Sequence, residues 1–313
     1  MALKNRKIVA VDSGAYNTKG KSSVGSVMFR TKYTRRHSDL GMANENTYNV
    51  TINGKEFTVG DSAREEDVSE GKDSELHILS TLTSVALLRG DAKEIILMYG
   101  ESFNMYRNPE QKKRIENLLM GKHTVTIESK NGSKETHEFE IVTVHILPEG
   151  IGHILTDLRN NQGVKYVWDW GGSTVNFLEV INGIPSDNSR SFELGMHNLT
   201  GSVEDAISKA GHGRQPEQLV KSWIEGGCPD RNIQMVIDDT LDEQLYKIDH
   251  ELRKNSINLQ KFHEVTFIGG TSQLFTKQIR ERYACAVVYP KCLTANVDGF
   301  YEYGRLKYGN QAS

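Results

Sequence analysis

Apolar positions along this chain recur in two rhythms. Continuous apolar runs predict buried strands at Lys7–Val11, Glu94–Tyr99, Lys165–Trp168, Glu264–Ile268 and Ala286–Tyr289. Shorter runs follow the first of these at Val27–Phe29 and Thr31–Tyr33. Others flank Asn-Gly turns: Val50–Ile52 and Glu56–Val59 around Asn53–Gly54, and His123–Ile127 and His137–Val144 around Asn131–Gly132. A further hairpin turns at Asn182–Gly183. Helical spacing takes over at about 76–89, where Leu76, Leu79, Leu82, Val85, Ala86 and Leu88 share a side. It returns in a helix opened by Asn108 and Pro109 and closed at Gly121. A short helix is expected at about 200–210, capped by Thr200 or Ser202, and a long amphipathic one at about 231–259. Two more cover about 272–283 and 295–308. The polar stretch 36–49 reads as an exposed loop.

Each half is strand-rich first and then alternates helix with strand, the pattern of a mixed sheet covered by helices. The expected division is residues 1–160, rejoined by the C-terminal helix 295–313, and residues 161–294. The boundary falls in the loop Asn160–Gly163.

The halves also share a local pattern. Lys7–Val11 runs into Asp12-Ser13-Gly14-Ala15-Tyr16-Asn17-Thr18-Lys19, and Lys165–Trp168 runs into Asp169-Trp170-Gly171-Gly172-Ser173-Thr174. In both, an apolar strand ends in an aspartate, breaks into a small-residue turn and resumes as strand. Repeats set architecture, and this one predicts two similar domains whose turns face one cleft.

Composition narrows the field. The chain has 313 residues, enough for about two domains. Its net charge of −3 offers no basic field for direct nucleic-acid binding. Three cysteines without a Cys-x-x-Cys pair fit a reducing compartment rather than a disulfide framework. With no long apolar run and no leader pattern, a cytoplasmic protein without a membrane anchor is expected.

The turns carry the candidate chemistry. Gly14 lets backbone approach a phosphate closely, Ser13 and Asn17 add donors, and Lys19 brings positive charge. Asp12 would repel phosphate unless it faces the water shell of a Mg²⁺ ion, which takes only one or two carboxylates. Alone, this turn reads at least as well as a tight Asx hairpin. The second turn, with Gly171, Gly172, Ser173 and Thr174 behind Asp169, favours two matched phosphate grips. A third turn, Gly269-Gly270-Thr271 after Phe267–Ile268, suits a base or ribose lying against it; alone it is an ordinary strand-to-helix loop. Trp168 and Trp170 flank Asp169, and one is expected in the core, the other at a domain contact or the cleft. His145, His153 and His197 lack metal spacing.

In this order the three turns resemble the phosphate-one, phosphate-two and adenosine turns of the actin-like ATPases. The spacing of Asp12, Gly14, Asn17 and Lys19, with Leu147-Pro148-Glu149, is most similar to the ParM-like plasmid segregation proteins. The resemblance implies an α/β, actin-like (RNase H-like, duplicated) two-domain fold with the nucleotide between the domains. It implies ATP, or alternatively GTP, with Mg²⁺ held by Asp12 and Asp169 through water, and Glu149 aligning the attacking water. It further implies an ATPase whose turnover drives a head-to-tail filament, a ParR-like DNA-binding adaptor, and centromere-like DNA met only through that adaptor. Two positions depart from the family pattern: Asn176, where many relatives are acidic, and Thr271, where a third glycine is common. A sugar kinase of the same superfamily or an MreB-like cell-shape filament are the alternatives. The latter wants an apolar anchor, which Met1–Arg6 does not supply.

Overall fold

A computed structural model describes residues 6–36, 45–64, 71–129, 132–156 and 162–309. Most of the expected loop 36–49, Asn131 of the second hairpin turn, part of the expected domain boundary, the first five residues and the last four lie outside the described residues.

The first half contains β1 (Arg6–Ser13), β2 (Asn17–Lys21), β3 (Ser26–Arg30), β4 (Tyr33–Arg35), β5 (Thr47–Ile52) and β6 (Lys55–Gly60). Helix α1 (Glu75–Leu88), β7 (Glu94–Glu101), α2 (Phe103–Tyr106), α3 (Pro109–Leu119), β8 (Gly121–Glu128), β9 (Lys134–Pro148) and α4 (Gly152–Leu155) follow. The second half contains β10 (Val164–Trp170), β11 (Val175–Ile181), β12 (Ile184–Pro185), β13 (Arg190–Phe192), α5 (Met196–Ile207), α6 (Glu217–Gly226) and α7 (Arg231–Lys254). It ends with β14 (Val265–Ile268), α8 (Gly270–Leu274), α9 (Thr276–Arg282), β15 (Ala286–Val288) and α10 (Ala295–Tyr308).

Among the described residues, one sheet runs β3-β2-β1-β7-β9-β8-β5-β6-β4 and the other β12-β11-β10-β14-β15, with β13 also on β11. The repeat is visible in the pairing. In each sheet an antiparallel hairpin, β1–β2 or β10–β11, is followed by strands parallel to its first member, β7 and β9 or β14 and β15. Parallel strands align their carboxyl ends, so β1, β7 and β9 deliver Asp12, Glu101 and Glu149 to one rim, and β10 and β14 deliver Asp169 and Gly269. Ligands of such sheets bind beyond those ends.

Three apolar cores hold the arrangement. One lies under α1 and α3 on the first sheet, around Val9, Val11, Leu82, Leu97 and Ile115. Another lies under α5 and α7 on the second, around Trp168, Trp170, Phe177, Leu245 and Phe267. The third joins the sheets: Ala10 and Met98 of the first, Val167 and Leu178 of the second, Ile154 of α4 and Phe300 of α10. Helix α10 packs on β1, β7, β2 and α4. It crosses α4 through two glycines: a methyl group on Gly299 would stand 1.8 Å from the Gly152 carbonyl oxygen, an impossible approach for any larger residue.

Both tryptophans are fully buried in the second core. Positions 168 and 170 share one face of β10, so the expected division of one to the core and the other to a domain contact or the cleft fails on strand periodicity, and Asp169 takes the opposite face. The expected helix at 272–283 is two pieces, α8 and α9, meeting at Phe275. The helix expected at 200–210 starts at Met196, and the one expected to reach 259 stops at Lys254.

Candidate functional site

The two acid-led turns meet across a cleft of about 570 Å³, within the range of small-molecule sites. Asp12, Gly14, Asn17, Lys19, Glu149, Asp169, Gly171, Gly172, Ser173, Thr174, Gly269, Gly270 and Thr271 all line it. Ser13 does not: its hydroxyl lies beneath the turn, 2.9 Å from His77 Nδ1 and 3.3 Å from Thr18 Oγ1.

The first turn is fixed by register. Asp12 faces Lys19 and Ser13 faces Thr18 across β1–β2, and Thr31 Oγ1 donates to the Gly14 carbonyl at 2.6 Å. The second turn is fixed by the helix behind it. The backbone N–H groups of Met196 and His197 donate to the carbonyls of Gly171 and Gly172, and that of Gly195 to Ser173. The third turn presses on the second. Gly269 has φ of 92°, and a Cβ there would lie 2.5 Å from Asp169 Oδ1, so glycine is required both for the backbone angle and for the approach. Thr271 Oγ1 donates to the Gly171 carbonyl at 3.0 Å, tying the third turn to the second with a hydroxyl that a glycine would lack.

The two aspartates, alike in sequence context, differ in electrostatics. Both are buried. Burial raises the proton affinity of Asp12, but Lys19 and Lys72, with Nζ atoms 3.2 Å from Oδ2 and Oδ1, outweigh it and hold the carboxyl at about 2. At Asp169 the balance falls the other way. Burial and the charges of Glu149 and Asp12 push it up to about 7, outweighing the donation from Asn296 Nδ2 at 2.8 Å and the more distant charge of Lys19. Environments that drive two carboxyls apart are a mark of functional sites.

Glu149 sits where β9 ends, and its backbone N–H donates to the Glu101 carbonyl at 2.7 Å. One carboxylate oxygen accepts from Lys72 Nζ and the other from Asn176 Nδ2 at 3.3 Å. Asn176 also accepts from Ser191 Oγ and from the Phe103 N–H. An acidic residue at 176 would face Glu149 with like charge; the amide instead orients it. Glu101 is buried, accepting from the N–H groups of Lys72 and Ser102, and burial raises it to about 7.

Lys72, Glu101 and Asn296 are not evident from sequence. Glu101 had a signal, since Tyr99-Gly100-Glu101-Ser102 repeats the pattern of a strand ending in an acid and a small-residue turn. Lys72 and Asn296 had none: both precede or open helices and reach the cleft only through tertiary packing. At the mouth, Tyr16 OH donates to Glu225 of α6 at 2.8 Å, and the Arg30 guanidinium lies 3.3 Å from the centre of the Tyr16 ring. Cys292 also lines the cleft, but burial first and Asp169 second push its thiol up to about 11, so it stays protonated.

The carboxylates suit a magnesium ion better than a tighter cage. Among the described residues no three His, Cys, Asp or Glu side chains are close enough to hold a metal by themselves. Two facing carboxylates beside phosphate-sized space match an ion that keeps its water and shares a polyphosphate.

Residues 10–152 match the family model described as the actin-like proteins N-terminal domain. No curated protein sequence matches the chain. Among solved structures, the archaeal actin homologue Ta0583 is similar at 18% identity and a TM-score of 0.79, over 96% of this chain and 99% of that one. The same protein in complex with ADP is similar at 17% identity and 0.75, over 96% and 99%. A 15-stranded ParM filament from Clostridium botulinum gives 18% identity and 0.75, over 96% and 99%. The apo psk41 ParM protein gives 15% and 0.70, over 98% and 99%. The chain therefore has the actin-like fold along its length, with an actin-like N-terminal domain, and is similar to ParM and archaeal actin homologues.

Proposed function

We propose that this actin-like protein is a ParM-type filament subunit that hydrolyses a nucleoside triphosphate in the cleft between its two sheets. The observation that carries the reading is the facing pair of acid-led turns with Glu149 between them. The ADP complex of the similar archaeal protein and the filament of the similar clostridial one support it.

Gly14, Asn17 and Lys19 on one side, and Gly171, Gly172, Ser173 and Thr174 on the other, hold the phosphates. Gly269, Gly270 and Thr271 offer a surface to ribose or base. Asp12 and Asp169 are the residues that would hold Mg²⁺, which would supply charge neutralisation to the polyphosphate. Glu149, already oriented by Asn176, aligns the attacking water and accepts its proton. Phosphates held there would touch turns from both halves of the chain, so the closed state would weaken without them. In a head-to-tail polymer that difference sets the lifetime of subunit contacts. An adaptor protein, in place of direct DNA contact, links such a filament to plasmid DNA; the net charge of −3 suits that division of labour.

The test is light scattering with ATP or GTP and Mg²⁺, alongside electron microscopy and phosphate release. Scattering should appear above a critical concentration and decline as phosphate accumulates. A flat trace over a wide concentration range would refute the filament.

A further inference from the structure

The cleft already holds a cation, carried by the chain itself. Lys72 is 4% exposed, and its Nζ contacts Asp12 Oδ1 at 3.2 Å and Glu149 Oε1. The residue is pinned at its backbone. Its N–H donates to Glu101 Oε2 at 3.2 Å, and its carbonyl accepts from Tyr99 OH at 3.1 Å. Its ammonium is thus flanked by two carboxylates, one from the end of β1 and one from the end of β9. Lys19 takes the other oxygen of Asp12 at 3.2 Å. Both oxygens of Asp12 and one of Glu149 are therefore engaged by ammonium groups.

We propose that Lys72 is an exchangeable counter-cation, seated between the two carboxylates that a metal-bound nucleotide must reach. This rests on the nucleotide reading of the cleft. Three acidic side chains, Asp12, Glu149 and Asp169, line a mostly buried space. Without an internal cation they would repel one another or recruit a divalent ion from solvent. Lys72 prevents both. Free Mg²⁺ gains little by entering, because it would have to displace an ammonium from two carboxylates that already neutralise it. A nucleotide polyphosphate changes that balance by bringing its own negative charge, to which Lys72 Nζ can turn as it leaves Asp12 and Glu149. Metal entry thereby becomes conditional on nucleotide, and the free metal does not close the cleft.

The measurement is the thermal midpoint of the nucleotide-free protein, with EDTA or with millimolar MgCl2. The wild type should show the same midpoint in both. Lys72→Gln should melt lower in EDTA and rise by about 2–4 °C or more with MgCl2, since the released carboxylates then bind the ion. Lys72→Gln/Glu149→Gln, which removes the pair together, should recover most of the midpoint and lose the Mg²⁺ response. A Lys72→Gln protein that folds only with Mg²⁺ present supports the proposal equally. Equal Mg²⁺ responses in wild type and Lys72→Gln overturn the proposal. So does failure of both variants to fold under either condition, since the lysine would then serve something other than these carboxylates. Binding of Mg²⁺–ATP and Mg²⁺–GTP to the wild type is measured by calorimetry alongside. Absence of both defeats the nucleotide reading and the exchange with it, whereas nucleotide binding with an unresponsive Lys72→Gln defeats the exchange alone.

Discussion

Replacing Asp169 by Asn should make the nucleotide-free protein more stable at neutral pH and leave it unchanged in acid. Asp169 is 4% exposed, and burial, Glu149 and Asp12 raise it from 3.8 to about 7. The folded chain keeps the Asp169 proton up to about pH 7, while the unfolded chain releases it near 3.8. Between those values the folded state binds more protons, so this group's contribution to stability is intact below the lower value and is lost as pH rises through the higher one. Each tenfold change in proton affinity is worth about 1.4 kcal/mol, so a rise of about three pH units corresponds to about 4 kcal/mol. Asparagine stays neutral and can still accept from Asn296 Nδ2 through its carbonyl oxygen. The two proteins should therefore match near about pH 4 and diverge, with the variant ahead by up to about 4 kcal/mol, by about pH 8. Asp12 does not mask the effect, because held at about 2 it acts below 3.8, and in the opposite sense. Glu101, also raised to about 7, acts in the same window but is common to both proteins and cancels in the difference. Denaturant unfolding in EDTA at a series of pH values measures this, with Trp168 and Trp170, buried on either side of residue 169, as the fluorescent reporters. A stability difference that stays flat across the window, or opens the other way, would refute the electrostatic account of the cleft.

Three further outcomes follow from the same geometry. Glu149→Gln keeps the shape of the side chain but cannot accept a proton; phosphate release should slow by about 10²–10⁴-fold while polymer persists longer, and unchanged turnover would remove Glu149 from the chemistry. Asp12→Ala leaves Lys19 without its carboxylate and Lys72 with Glu149 alone, two ammonium groups side by side, which should cost about 3–5 kcal/mol of stability and abolish Mg²⁺-dependent nucleotide binding; normal affinity by calorimetry would make the first turn merely structural. Tyr16→Phe removes the hydroxyl that reaches Glu225 across the mouth; at about 0.5–1.5 kcal/mol for the bond, release of a fluorescent nucleotide should quicken about 2–10-fold, and an unaltered rate would show that the contact does not retain ligand.

The parts of this molecule legible in sequence are those whose cause is local. Asn53–Gly54 and Asn182–Gly183 turn hairpins because both residues of each pair adopt positive φ, 49° and 84° in the first and 51° and 83° in the second. Asn108 caps α3 with its own side chain, accepting from the N–H groups of Glu110 and Gln111. What failed was decided by distant contacts. Helix α5 begins at Met196, four residues before the cap expected at Thr200, because the carbonyls of Gly171, Gly172 and Ser173 bind the backbone N–H groups at its start; Thr200 instead donates back to the Met196 carbonyl. Helix α7 ends at Lys254 because Ser256 takes φ of 63°, which no helical period reports. Within the cleft the same division holds. Asp12 and Asp169 announce themselves as acids at strand ends, but Lys72 lies in the polar run Gly71-Lys72-Asp73-Ser74 ahead of α1, indistinguishable from a solvated loop until β1, β7 and β9 stand side by side.

That juxtaposition also explains why a duplicated pattern has unequal halves. The first sheet offers Asp12 two lysines, one from its own hairpin and one from the segment before α1. Asp169, on the second sheet, instead accepts from an amide, and the amide comes from α10, the helix packed on the first sheet. Asn296 donates to Asp169 with its nitrogen and accepts from the Gly150 N–H with its oxygen, at 2.8 and 3.0 Å. Gly150 follows Glu149 directly. A single side chain thus spans the acid at the end of β10 in the second sheet and the segment after β9 of the first that carries the candidate water-aligning glutamate. Any rotation that opens the sheets must stretch one of those two bonds, and a rotation large enough to separate the turns must break one. Burial makes that break costly, because either Asp169 or the Gly150 N–H is then left unpartnered out of water. The charge state of Asp169 and the setting of Glu149 are in this way tied to the spacing of the two sheets through ordinary hydrogen bonds, without any part of the backbone having to be strained.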